Sequence, residues 1–126
     1  MAHGTARIGK DHYRTEINVS GHDLIGDEGA GLGGQNLGPA PYDFLLAGLG
    51  ACTAITLRMY ADRKGWPLES VDVGLRLLSK DGLRVDRVLT IAGLDDEQMA
   101  RLADIAERTP VTLTLKNGLP IDTRLA

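Results

Sequence analysis

The sequence predicts an α+β domain with a mostly antiparallel sheet, and three observations carry that expectation. Two alternating apolar runs, "VDVGLRLLS" and "LRVDRVLTIAG", meet at Lys80-Asp81-Gly82, a strong hairpin signal. A long apolar helix follows Pro41, and a second, amphipathic helix opens after Asp95.

The elements follow in chain order. "ARIGKDHYRTEINVSGHDLIGDE" reads as strands, with reversals at Gly9-Lys10-Asp11 and Ser20-Gly21 and with Ile17 and Val19 alternating against polar neighbours. Gly29 to Pro41 is a glycine-rich loop, expected to be a flexible entry segment. Pro41 suits the first helical position, where its missing N–H costs nothing, and the helix runs to about Lys64 before Gly65 stops it. From Phe44 to Leu57 that helix is apolar or small almost all round. Such a helix must be covered on more than one side, which points to a partner subunit. Gly48, Gly50, Ala51 and Ala54 would let a second backbone approach closely. In "LDDEQMARLADIAERT", Asp95 and Gln98 form a capping-box pattern, and Met99, Leu102, Ala103, Ile105 and Ala106 make the expected buried side. The next stretch is open. Val111, Leu113 and Leu115 alternate like a strand, while Thr109-Pro110 would cap and start a short helix ending near Gly118. "LPIDTRL" is expected to close the chain as a strand.

Composition narrows the function classes. With 126 residues, 43% of them apolar, the chain suits a single domain over 1–126. One cysteine excludes an intramolecular disulfide framework and suggests a reducing compartment. With no apolar leader segment at the start, the expected location is cytoplasmic. The apolar stretch Phe44 to Leu57 is too short for a membrane span. A net charge of −3 without a basic run argues against a nucleic-acid partner.

"GAGLGG", Gly29 to Gly34, matches G-x-G-x-x-G, but the helix cannot begin before Pro41 and no acid lies near Ala54, so a dinucleotide site is not expected. His3, His12 and His22 are too scattered for a metal site, and no cofactor is implied. Asp43, in the first turn of the long helix, has a sufficient role against the helix dipole, and Glu69 lies just beyond the other end. Cys52 is the one candidate nucleophile. It lies about 16 Å along the helix from Pro41, beyond useful reach of the dipole. Its same-face neighbours Gly48, Leu49, Ile55 and Thr56 carry no charge. An activating cation must come from another segment, with Arg14, from either subunit, the candidate. On its own helix Cys52 reads as an inert, buried small residue.

"GPAPYDFLLAGLGACTAITLRMYADRKGWPLESVDV", Gly38 to Val73, resembles the signature region of the OsmC/Ohr family of osmotically induced and organic hydroperoxide resistance proteins. The resemblance extends to "YRTEINVSGHDLIGDE", "LDDEQMARLADIAERTPV" and the closing "IDT". It implies an intertwined α+β homodimer, with central buried helices and active sites at the interface. It also implies a cysteine-based peroxidase, in which a first cysteine becomes a sulfenic acid, a second resolves it as a disulfide, and a dithiol reduces that disulfide. An arginine and a glutamate hold the first thiolate.

Cys52 matches the first cysteine. The second belongs to a "CPV" motif, and this chain reads Thr109-Pro110-Val111. The family's glutamate aligns with Tyr42, with Asp43 one position off; the family's arginine has no assigned counterpart here, and Arg14 is the candidate. Tyr42, Asp43 and Thr109 are thus the candidate substrate contacts, and Cys52 with Arg14 the candidate catalytic pair. Two readings follow. One is a one-cysteine thiol peroxidase reducing organic hydroperoxides with an external thiol. The other is an inactive homodimer that binds an apolar small molecule at its interface.

Overall fold

The computed structural model describes residues 2–126, which form two compact units, the first ending at Leu45 and the second running Leu46–Ala126. In the first unit, β1 (Gly4–Arg7), β2 (Thr15–Val19) and β3 (His22–Gly26) form an antiparallel sheet in chain order. Ser20 and Gly21 make the two-residue turn between β2 and β3. Both have positive φ, 50° and 86°, the twist that a tight hairpin requires.

The glycine-rich loop is held more firmly than its composition suggests, and one side chain accounts for this. Asp27 is 3% exposed, and its carboxylate accepts the backbone N–H groups of Tyr13, Glu28, Gln35 and Leu37 at 2.7 to 3.3 Å. Burial pushes this carboxyl up, but the backbone hydrogen bonds outweigh burial and hold it below the ordinary aspartate range. Gly34 and Gly38 serve close approach, because a Cβ there would run into the carbonyls of Glu28 and Ile25. A single turn of 3₁₀-helix, Ala30–Leu32, occupies the G-x-G-x-x-G stretch.

Helix α1 (Pro41–Lys64) begins and ends where Pro41 and Gly65 predict. The N–H of Ala40 is taken up by Asp43 Oδ2 at 2.9 Å, so Asp43 caps the helix as well as meeting its dipole. In the second unit β4 (Ser70–Ser79) and β5 (Leu83–Ala92) form the expected hairpin, with Asp81 and Gly82 at positive φ in the turn. Helix α2 (Asp96–Ala106) carries the complete capping box between Asp95 and Gln98. The core is Leu57 and Ala61 of α1, Leu68, and Leu102 and Ala106 of α2, flanked by Leu89 and Ile91 of β5. Trp66 packs edge-on to Tyr60 at this core, ring centroids 5.6 Å apart.

Three expectations need correction or resolution. Residues 110–116 are helical: α3 (Pro110–Asn117) starts at Thr109-Pro110, and Leu113 N–H closes the first turn on Thr109 O at 3.0 Å. The closing strand is not formed. No strand occurs after Asn117 among the described residues; Pro120 offers no N–H, and Leu119, Ile121 and Leu125 stand exposed. Ala103 faces solvent, because Leu102 and Ala106 define the buried side of α2 and Ala103 lies off it.

Helix α1 buries one stripe, Leu49, Thr53, Leu57 and Ala61, each four residues from the last. Ala51, Ile55 and Met59 remain exposed in the single chain. At 24 residues α1 is longer than the apolar stretch counted above, and by length and composition alone it could cross a membrane. The buried stripe and the charged last turn are equally those of a core helix.

Candidate thiol site

Cys52 projects from α1 partly exposed, and the group that reaches it comes from α3. The N–H of Val111 points at Cys52 Sγ across 3.5 Å. Val111 follows Pro110 in the first turn of α3, where backbone N–H groups have no carbonyl partner within the helix. The sulfur therefore meets the positive end of a helix, though not of its own. Thr56 Oγ1, one turn further along α1, lies 4.0 Å from the sulfur. Thr109, the N-cap of α3, is fully buried, its hydroxyl 2.6 Å from that of Thr112.

Beneath this contact lies a guanidinium that sequence reasoning missed. Arg87 of β5 has a side chain only 12% exposed. Its Nη1 donates to Thr53 Oγ1 at 3.0 Å and Thr112 Oγ1 at 2.9 Å, and its Nη2 donates to Ala106 O at 2.8 Å. Glu107 Oε1 stands 4.0 Å from the same guanidinium. The Glu107 carboxyl is held below its usual range chiefly by Lys116, hydrogen-bonded at 2.9 Å, with a smaller pull from Arg87. A signal for Arg87 was available: in β5 it shares the inward period-two face with Leu89 and Ile91. An open cavity of about 570 Å³ adjoins it, lined by Leu49, Val85, Arg87, Thr112 and Leu115 among others.

The other expected site residues fall in the first unit. Arg14 Nη1 is paired with Glu16 Oε1 at 2.9 Å, both side chains exposed. Tyr42 is exposed, and Asp43 is engaged in capping α1. The structure thus brings together Cys52 and the Thr109–Val111 segment within one unit. Among the described residues, no group of three or more histidine, cysteine or acidic side chains is placed to hold a metal ion.

The family profile for OsmC-like proteins matches residues 33–124. The chain belongs to the OsmC-like family. A search of curated proteins finds no match. Among solved structures, an OsmC-like protein from Mycoplasma pneumoniae superposes with a TM-score of 0.78 at 18% identity, covering 92% of this chain and 87% of that one. The organic hydroperoxide resistance protein OsmC of Legionella pneumophila gives 0.68 at 22% identity, covering 92% and 89%. The organic hydroperoxide resistance protein OhrB of Bacillus subtilis gives 0.64 at 23%, covering 93% and 92%. These likenesses establish the OsmC-like fold for this α+β chain. In this OsmC-like protein, Thr109 is the N-cap of the helix whose Val111 N–H meets Cys52.

Proposed function

We propose that this OsmC-like chain is a one-cysteine thiol peroxidase for organic hydroperoxides. The observation that carries the reading is the Val111 N–H in the first turn of α3, aimed at Cys52 Sγ across 3.5 Å, a backbone donor held on the atom that would react. The Cys52 thiolate attacks the distal peroxide oxygen, the O–O bond breaks, and the alcohol leaves after taking up a proton. Sulfur becomes a sulfenic acid. One external thiol condenses with it, losing water to give a mixed disulfide, and a second thiol regenerates Cys52 and releases the external disulfide. The sum is ROOH + 2 RSH → ROH + H₂O + RSSR. In this reading Arg14, from either subunit, is the proposed cation, and Tyr42, Asp43 and Thr109 are the proposed substrate contacts. The working form is a homodimer in the cytoplasm, closed over the exposed face of α1.

A second reading rests on Thr109, which cannot resolve a sulfenic acid: an inactive homodimer whose interface pocket takes an apolar small molecule, with Cys52 as packing. Cumene hydroperoxide turnover with dithiothreitol decides between them. The peroxidase reading expects turnover in the wild type and its loss in Cys52→Ser. Equal rates in both, or none in either, leave the binding reading.

A further inference from the structure

The contact between Cys52 and Val111 joins two helices, and hydrogen bonding to sulfur is too weak by itself to fix them. The residues next in sequence are joined as well. Thr53 follows Cys52 and Thr112 follows Val111, and Arg87 Nη1 donates to both hydroxyls, at 3.0 and 2.9 Å. Its Nη2 reaches the carbonyl of Ala106 at the end of α2, at 2.8 Å. One planar guanidinium thus spans α1, α2 and α3, and its side chain is nearly nine-tenths buried. A guanidinium offers five donors in a rigid fork, whereas an ammonium is a compact point charge without that fork.

We propose that Arg87 is a positioning residue that clamps the first turn of α3 onto Cys52, setting the reactivity of the thiol without touching it. The role rests on the thiol reading above, since only a reacting sulfur needs an N–H held against it. The buried hydroxyls of Thr53 and Thr112 are the two jaws. Thr53 is itself anchored through its own O–H to Leu49 O at 2.7 Å, and Thr112 through the 2.6 Å contact with Thr109. With the clamp released, α3 keeps its cap and its proline but loses its register on α1.

The test uses the full-length protein, isotopically labelled, with Arg87→Lys, Thr112→Val and Thr112→Ser as variants. Two readouts are taken: the rate of Cys52 alkylation by iodoacetamide at neutral pH, and the Val111 amide resonance before and after alkylation. Arg87→Lys and Thr112→Val are expected to alkylate roughly tenfold more slowly. In both, the Val111 resonance should no longer move when Cys52 is capped, while Trp66 emission stays native. Thr112→Ser keeps the hydroxyl and should restore both signals. Should Arg87→Lys not fold, Thr112→Val, which deletes a single hydroxyl, decides alone. Folded variants with wild-type alkylation and an unchanged Val111 response would overturn the proposal. Absence of hydroperoxide turnover in the wild type removes the peroxidase reading instead, and neither Cys52 readout depends on it.

Discussion

Val111 and Cys52 are 59 positions apart in sequence, yet the backbone N–H of one points at the sulfur of the other from 3.5 Å. Two residues before Val111 stands Thr109, the position proposed for the family's second cysteine. A thiol introduced there should lie within reach of the first. Thr109→Cys is expected to form a disulfide with Cys52 after one equivalent of peroxide, seen as a crosslinked peptide by mass spectrometry. Recovery of only overoxidised Cys52 would mean that residue 109 does not face the sulfur.

The exposed strip Ala51, Ile55 and Met59 on α1 is expected to close a homodimer. Replacing Ile55, 53% exposed, with Glu places a charge where an apolar contact is expected, and sedimentation should show dissociation. A wild-type chain that sediments as a stable folded monomer at micromolar concentration contradicts the dimer.

Leu57 and Leu102 are fully buried and packed in the same core cluster. Leu57→Ala or Leu102→Ala should each lower stability by about 2–5 kcal/mol, read from denaturant midpoints. A loss below about 1 kcal/mol would show that the core collapses around the smaller side chain.

Asp27 sets a pH dependence for the glycine-rich loop. Its folded carboxyl is held below the ordinary value of 3.8, so the stabilisation is complete well above that value. It fades as pH falls through 3.8 and is gone below the lower, folded value. Amide exchange at Glu28, Gln35 and Leu37 should therefore accelerate, relative to the intrinsic rate, as pH falls through that range. Asp27→Asn should show the faster exchange already at neutral pH. Identical protection in the two proteins would remove Asp27 as the anchor.

Much of the fold was legible because it is written in local chemistry. Pro41 and Gly65 bracket α1, Asp81 and Gly82 turn the hairpin, and Asp95 with Gln98 opens α2; each acts through its own backbone preference or a partner three residues away. What eluded the sequence depends on long-range partners. The tail after Asn117 alternates like a strand, but among the described residues no strand pairs with it. At the site, the resemblance singled out Cys52 and Thr109 only as candidates, and the groups facing Cys52 were not legible. A backbone N–H has no letter in the sequence. Arg87 has one, but arginine on a strand is ordinarily solvated, and only its period-two companions Leu89 and Ile91 place it inward.

Trp66, the sole tryptophan, sits edge-on to Tyr60 at the core of the second unit. Emission excited at the red edge of the protein spectrum therefore reads the core of Leu46–Ala126, and the segment up to Leu45 contributes no tryptophan. A single sharp emission curve would not establish all-or-none unfolding; far-ultraviolet dichroism, which also sees the β1–β3 sheet, must trace the same midpoint before one free energy can describe the whole chain.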